Sequence, residues 1–221
     1  MPLAPVTRLK KKEINWLSTH KCKHSHSYLE HYNCYIQENP LQQKVGFFDI
    51  ETSNLKANYG ICFCYCIKTQ NKDEIKHRTI TRDELLKDLD RGVIAQCIKD
   101  LSEYDRIITF YGKRFDYPFV RTRALAHNLD FPIYGQQFHD DVYFIIKHKF
   151  CLNSNRMEVA CRTLLGETEK NHVDANYWIR ALQGDKKSLS YILDHCKRDV
   201  RDLEKLYNKV INFSRGQDAS I

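Results

Sequence analysis

The spacing of hydrophobic and polar positions changes several times along this chain, and each change predicts an element of secondary structure. A short apolar run covers residues 45–50, and turn-forming residues follow it at 54–60. A second apolar run at 60–68 and a weaker one at 75–80 come next, with short links between them. Because short links favour pairing of neighbouring strands in opposite directions, we expect an antiparallel meander of three strands.

The second predicted strand has an alternating pattern. Cys62, Cys64 and Cys66 alternate with large apolar residues, so the sulfur atoms should lie on one face and the apolar groups on the other. Free cysteine behaves as a small hydrophobic residue, and the pattern therefore predicts a strand buried on both faces. A metal site built on these cysteines is the less favoured alternative, since zinc ligands usually come from turns.

Helical spacing begins after Thr81, a suitable N-cap that precedes two acidic residues. Apolar residues recur at helical intervals from Leu85 to Leu101, which predicts one helix. The remaining pattern predicts a strand at 106–111, a short strand passing into a helix over 140–149, and helices at 113–127, 155–165, 175–182 and 187–211. Three strands followed by helices and a further strand predict a mixed α/β sheet.

Length and composition indicate one globular domain. The chain has 221 residues, of which 42% are hydrophobic and 29% charged, which argues against a disordered or fibrous protein. No apolar run approaches the ~20 residues needed to span a bilayer, and the basic start lacks the apolar segment of a secretory signal. Nine cysteines without such a signal indicate free thiols, so we expect a reducing, cytoplasmic setting.

Charge is distributed unevenly. The net charge is +7, and the first 44 residues hold seven basic and three acidic residues. We therefore divide the chain into a basic N-terminal extension at 1–44, a main domain at 45–213 and a short tail at 214–221. A moderately basic chain is compatible with a polyanionic partner, such as a nucleic acid.

Acidic residues occur where the predicted elements end. Asp49 and Glu51 stand one residue apart in a strand and should face the same side, although a solvated strand end would explain them equally well. Asp116 follows the strand predicted at 106–111, and Asp199 comes four residues after His195, a spacing that places both on one face of a helix. Carboxylate oxygens suit Mg²⁺ or Mn²⁺.

Three motifs carry these residues: Phe-Asp-Ile-Glu-Thr at 48–52, Phe-Asp at 115–116 and His-Cys-Lys-Arg-Asp-Val at 195–200. Together they resemble the motifs of the DEDD superfamily of 3′–5′ exonucleases, DnaQ-like and YprB-like enzymes with a ribonuclease H-like fold. The resemblance covers residues 45 to 212. It implies a five-stranded mixed sheet flanked by helices, with the fifth strand near 138–140, and hydrolysis of DNA or RNA from a 3′ end.

The resemblance also implies roles for the acidic residues. Asp49, Glu51, Asp116 and Asp199 would hold two Mg²⁺ or Mn²⁺ ions, and His195 would orient or deprotonate the attacking water. Crowding of these carboxylates should raise the pKa of at least one of them.

The chain departs from the family pattern at two positions. His195 occupies the place four residues before the acid where the family has tyrosine, and Tyr111 stands where the second motif often has asparagine. Three alternatives remain open: an endonuclease of the same fold that acts on structured nucleic acid, a nucleic-acid-binding module without activity, and a protein whose functional unit is the N-terminal extension, with zinc and an interaction role.

Residues near the acids are candidates for contacts with nucleic acid. Lys113 and Arg114 would meet phosphates, Tyr111 would stack on a base, and Thr52 belongs to the first motif. Phe115 and Tyr117 are further candidates for stacking, although core packing is preferred for Phe115. Three other acids are not assigned to the site: Asp202, which we expect to be solvated, and Asp140 and Asp141.

The extension contains a group of potential zinc ligands, namely Cys22, His24, His26, His31 and Cys34. They suit a tetrahedral zinc site, although the spacing is not a standard zinc-finger pattern. One alternative is a surface segment whose Trp16 and Leu17 pack on the domain. The other is an arm that lines the nucleic-acid path with its basic and aromatic side chains, Lys10, Lys11, Lys12, Lys21, Lys23, Tyr28, Tyr32 and Tyr35.

Overall fold

The computed structural model describes residues 11–38, 44–132, 137–169 and 174–214, with a five-stranded mixed sheet at its centre. The strands are β1 (Val45–Thr52), β2 (Cys62–Thr69), β3 (Ile75–Thr79), β4 (Arg106–Thr109) and β5 (Phe138–Asp141), in the order β3-β2-β1-β4-β5. The first three strands pair antiparallel, whereas β4 runs parallel to both β1 and β5. The predicted meander and mixed sheet are confirmed.

The helices flank this sheet. They are α1 (Lys11–Thr19), α2 (Tyr32–Glu38), α3 (Arg82–Lys87), α4 (Arg91–Leu101), α5 (Asp116–Ala126), α6 (Val142–Lys149), α7 (Met157–Leu165), α8 (Ala175–Leu182) and α9 (Lys186–Val210). Apart from α3 and α4, every helix and strand predicted from the sequence begins and ends within three residues of its observed bounds. No helix in the described segments is both long and apolar enough to cross a membrane.

Strand β2 lies at the centre of the core, and all of its residues are buried, as the alternating pattern predicted. Helix α9 covers one face of the sheet, where Tyr207 packs edge-on against Phe47 of β1. Helix α4 covers the opposite face, where the Tyr65 hydroxyl donates a hydrogen bond to Asp100 at 2.6 Å. The sheet is therefore a layer between helices, which agrees with the predicted burial on both faces.

The single helix expected from Leu85 to Leu101 is wrong. The chain forms two helices, and Leu89 between them has a φ of 52°, a left-handed conformation that ends the first helix. The turn carries the next residue, Asp90, into the interior, where its carboxylate is fully buried.

Asp90 explains the turn. Its carboxylate accepts hydrogen bonds from the Cys62 backbone, from the Arg123 guanidinium and from the His127 ring. Burial alone would raise the pKa of Asp90, but these partners hold it below its usual value. These contacts depend on tertiary structure, which hydrophobic spacing does not encode.

Residues 11–38 form a small unit of their own, which we call the annex. Helix α1 leads into a tight turn closed by a bridge between Lys21 and Ser27, and helix α2 follows. The Cys22 backbone amide donates to the His26 carbonyl at 2.9 Å, and Ser25 has a φ of 65° within the turn.

Candidate active site

The end of β1 places Asp49 and Glu51 on one face of the sheet. They pair across the ladder with Cys66 and Cys64, and directly paired residues share a face. Helix α9 covers this face, since Cys196 Sγ donates to the Asp49 backbone carbonyl at 3.4 Å. Both carboxylates are half-buried beside α9, so they are not the solvated strand end that the sequence left open.

Helix α9 brings His195 and Asp199 to the same place. His195 Nδ1 lies 2.8 Å from Glu51 Oε1 and 3.8 Å from Asp199 Oδ2. One potential ligand atom from each of these three side chains lies within 4.8 Å of the other two. His195 and Asp199, four residues apart on α9, therefore lie on one face of the helix, as predicted, and this face is directed at Glu51 of β1.

Asp116 joins the site from the beginning of α5. Its Oδ1 accepts a hydrogen bond at 3.2 Å from the backbone amide of Ile50, the residue between Asp49 and Glu51. Burial and, to a lesser extent, the charges of Asp141 and Glu51 together raise the pKa of Asp116 to about 8, against two backbone hydrogen bonds that lower it. A raised carboxyl pKa was expected in this group, but burial contributes more to it than the crowding of carboxylates that the expectation rested on.

The contact between His195 and Glu51 defines a proton position. A hydrogen on Nδ1 donates to Glu51, which leaves the lone pair of a neutral ring on Nε2. Nε2 is itself buried. The ring is therefore oriented by a carboxylate, an arrangement that suits a histidine in acid–base chemistry.

The donor set fits divalent metal ions. Asp49, Glu51, Asp116 and Asp199, which we call the acidic cluster, supply hard carboxylate oxygens. Glu51 and Asp199 converge with His195, and Asp116 is bonded to the same strand. Buried carboxylates such as Asp116 and Asp199 require cations or protons for neutralisation. The raised pKa of Asp116 is the sign of that requirement in the metal-free protein.

The family of the chain follows from a comparison of its sequence with protein-family models. The model described as the RNase_H superfamily matches residues 46–211, from the start of β1 to the end of α9. The chain belongs to the RNase_H superfamily. The match contains all four members of the acidic cluster together with His195, and no curated protein sequence matches the chain.

A solved structure supports the same fold. A family B DNA polymerase from the hyperthermophilic archaeon Pyrobaculum calidifontis is similar, with a TM-score of 0.63 and 18% sequence identity. The similarity covers 76% of this chain and 24% of the polymerase chain, so this chain spans about a quarter of the polymerase's length. At that identity, the likeness establishes the RNase H-like fold alone.

One residue of this RNase H-like site was not identified from the sequence. Trp178 of α8 donates its indole N–H to the Thr52 backbone carbonyl at 3.1 Å, and its ring meets His195 edge-on with a centroid separation of 6.3 Å. It therefore links the end of β1 to the histidine of α9. A tryptophan in a short amphipathic helix has no spacing relation to the motifs, so no pattern in the sequence points to it.

Two acids that the sequence left unassigned have structural partners. Asp140 forms an ion pair with Arg106 at 2.6 Å. Asp141 caps α6 and accepts hydrogen bonds from the backbone amides of Tyr111 and Lys113, at 2.7 and 3.0 Å. Asp141 therefore fixes the loop before Asp116, and α5 begins three residues later than predicted because this loop is held in another conformation.

The expectation that Asp202 is solvated is wrong. Its side chain is buried and accepts hydrogen bonds from the Thr168 hydroxyl and the Glu169 backbone amide, at 2.7 and 2.9 Å. Although it lies only three residues after Asp199 on α9, its hydrogen bonds hold the segment that follows α7.

The residues expected to contact nucleic acid differ in exposure. Lys113 and Arg114 are exposed, and Tyr111 is 44% exposed with a φ of 68°. The Tyr111 ring meets Tyr143 edge-on in an open groove of about 370 Å³ that is also lined by Phe110, Ser154, Asn155 and Arg156. The hydroxyl of half-buried Thr52 donates to the Asn54 carbonyl.

The two remaining aromatic candidates belong to the core. Phe115 packs beside Phe119, as preferred from the sequence. The Tyr117 ring lies between Phe48 and His139, and its hydroxyl donates to Gln137. Neither ring is presented for stacking on a base.

In the annex, four of the five potential zinc ligands converge, namely Cys22, His24, His31 and Cys34. His26 is exposed and lies outside this group, although its ring is 4.9 Å from that of His31. Trp16 stacks on His20 and Tyr28 inside the annex.

Proposed function

We propose that this chain is a metal-dependent nuclease that removes nucleotides from the 3′ end of DNA or RNA, with residues 45–213 as the catalytic unit. The observation that carries the proposal is the convergence of Glu51, His195 and Asp199, beside Asp116 bonded to the same strand. A site with this donor set can serve phosphodiester hydrolysis, in which charge stabilisation supplies most of the rate enhancement.

The acidic cluster would hold two Mg²⁺ or Mn²⁺ ions. When bound, such ions lower the pKa of water and neutralise charge on a phosphate. Asp116 is largely protonated at neutral pH before an ion binds, because its pKa is raised to about 8. Metal binding therefore displaces a proton from this carboxyl.

His195 would act as the general base. The Nδ1–H bond to Glu51 fixes the ring, and Nε2 accepts a proton from the attacking water. Trp178 limits rotation of the ring by its edge-on contact. Histidine in the position of the family's tyrosine is thus compatible with catalysis.

Substrate contacts would come from the loop before α5. Exposed Lys113 and Arg114 suit phosphates, Tyr111 suits a nucleobase at the edge of its groove, and Thr52 lies beside the acidic cluster. Base stacking contributes about 1–3 kcal/mol per base, so Tyr111→Leu should raise KM about 5- to 150-fold, while Tyr111→Phe should not.

The experiment is a panel of 5′-labelled single-stranded and duplex DNA and RNA, incubated with Mg²⁺ or Mn²⁺ and with EDTA. A ladder of products shortened from the 3′ end, abolished by EDTA and by a blocked 3′ terminus, is expected. A discrete internal product from the substrate with a blocked 3′ terminus would show that the activity is endonucleolytic and would overturn the proposed exonuclease activity. If the wild-type protein cleaved none of these substrates, the proposal of nuclease activity would be wrong, and the chain would be a nucleic-acid-binding module.

A pair of variants on α9 separates the site from its scaffold. Asp199→Asn removes a member of the acidic cluster and should lower the rate at least about 100-fold. Asp202→Asn changes another buried acid on the same helix, where an amide oxygen can still accept the bonds from residues 168 and 169, and it should retain activity. Equal losses in both variants would contradict the assignment.

A further inference from the structure

The annex holds four side chains whose ligand atoms meet at one point. Cys22 Sγ lies 4.0 Å from His24 Nδ1 and 3.6 Å from His31 Nδ1. Cys34 Sγ lies 3.2 Å from His24 Nδ1 and 3.3 Å from His31 Nδ1. One potential ligand atom from each of the four side chains lies within 4.8 Å of the other three.

These separations match a tetrahedral zinc ion. With Zn–S bonds of about 2.3 Å and Zn–N bonds of about 2.05 Å, tetrahedral angles place sulfur and nitrogen about 3.6 Å apart. The four sulfur–nitrogen separations, from 3.2 to 4.0 Å, lie on both sides of this value. Two thiolates and two imidazoles are also the ligand types that zinc prefers over the hard oxygens of the catalytic site.

The backbone supplies the ligands from two rigid segments. Cys22 and His24 belong to the turn closed by the Lys21–Ser27 bridge. His31 and Cys34 flank the first turn of α2, where the Cys34 amide donates to the His31 carbonyl at 2.9 Å. The turn and the start of α2 supply two ligands each. An ion bound to all four would therefore hold the turn against α2.

The described side chains of the annex form only a small hydrophobic core. Among the side chains described in residues 14–38, the buried hydrophobic ones are Leu17, Cys22 and Cys34. Two of these three are the cysteines of the cluster. Chains below about 40 residues usually need a metal, disulfides or a partner to fold, because they bury too little apolar surface.

We propose that Cys22, His24, His31 and Cys34 bind one structural zinc ion, which holds the annex in its folded form. The ligand set is complete with four protein atoms, so it has no position for a substrate or a water, unlike a catalytic zinc site. This inference stands apart from the proposed nuclease activity, since it uses none of the residues of the acidic cluster.

The test uses the full chain, purified under reducing conditions without added zinc and dialysed against a mild chelator. Elemental analysis should find one zinc ion per chain. Replacement by Co²⁺ should give the thiolate-to-cobalt charge-transfer band and the strong visible bands of tetrahedral coordination, which oxygen ligands at the acidic cluster cannot produce.

Variants of the annex make the test specific. Cys34→Ser and His31→Ala should each lose the bound zinc and the charge-transfer band, whereas His26→Ala should retain both, because His26 lies outside the cluster. A wild-type chain that contains no zinc and takes up no Co²⁺ would overturn the proposal, as would a Cys22–Cys34 disulfide that persists in reductant. Retention of zinc by Cys34→Ser and His31→Ala would overturn it as well.

Discussion

The annex and the sheet domain both gather metal-binding side chains, but they gather them for opposite reasons. In the sheet domain, a large core made by β1, β2 and α9 holds the carboxylates at its edge and contains none of them. In the annex, two of the three buried hydrophobic side chains among the described residues are cysteines of the ligand cluster. A metal ion should therefore neutralise charge in one region and maintain the fold in the other.

Removal of zinc should produce the largest effect, and it should be confined to the annex. Structural zinc sites have apparent binding free energies of about 10–16 kcal/mol near neutral pH, far more than a unit of this size can replace. Amide hydrogen exchange should show loss of protection at Cys22 and Ser25, whose amides are bonded within the turn. Protection in β2 should remain. Equal protection in the annex with and without zinc would mean that the annex folds on its own.

Asp116→Asn should have the second largest effect, on activity and not on folding. Loss of one charged group from a preorganised site should lower the cleavage rate about 10³-fold. The folded pKa of Asp116, about 8, is above its unfolded value of 3.8, so the folded state must hold a proton that the unfolded chain has released, and the cost in stability grows as the pH rises between these two values. Asparagine removes this cost.

Thermal unfolding and cleavage assays should therefore move in opposite directions for Asp116→Asn, with a midpoint equal to or above that of the wild type. If both the unfolding midpoint and the cleavage rate fell, Asp116 would be a residue that stabilises the fold. The sheet domain would then resemble the annex, where the proposed ligands also maintain the fold.

Asp90→Ala should destabilise the sheet domain by about 3–5 kcal/mol, because it leaves the buried Arg123 guanidinium without its charge partner. Urea unfolding followed in the sheet domain measures this loss. Glu103→Gln is the matched control: Glu103 pairs with Lys44 and Lys76 near the surface, and its loss should cost less than about 1 kcal/mol. Zinc content should be unchanged in both variants.

Acid should act on the two regions through different groups. Burial and, to a lesser extent, the Lys113 charge together lower the pKa of His139 in the sheet domain to about 4. The unfolded chain therefore binds this proton first, so stability from His139 is lost as the pH falls from about 6.5 to 4. The loss is on the order of 3 kcal/mol. In the annex, protonation of the ligands should release zinc instead.

Urea unfolding at a series of pH values should show this dependence for the wild type and a weaker one for His139→Gln. An identical pH dependence in both would show that His139 does not carry it.

Much of the fold was predictable because its signals are local. Runs of apolar residues and alternation at period two predicted β1, β2 and β3, and a helical period predicted α9 with His195 and Asp199 on one face. The pairing of Asp49 with Glu51 on one face of a strand, and of His195 with Asp199 on one face of a helix, was also predictable, because both spacings follow from backbone geometry.

Long-range contacts account for what was missed. The turn between α3 and α4 exists because Asp90 reaches Cys62 and Arg123, and Asp202 is buried because it meets the chain after α7. Hydrophobic periodicity reports only which face of an element is buried. It carries no information about a polar side chain whose partner lies thirty residues away.

The sequence by itself determined the order of the elements, the identity of the acidic residues and the presence of a cluster of cysteines and histidines before the domain. Tertiary structure alone decided that Glu51 orients His195, that Trp178 lies against that ring and that His26 is outside the annex cluster. The physical reason is range: backbone periodicity acts over a few residues, whereas a site is made where distant segments bring their side chains within bonding distance.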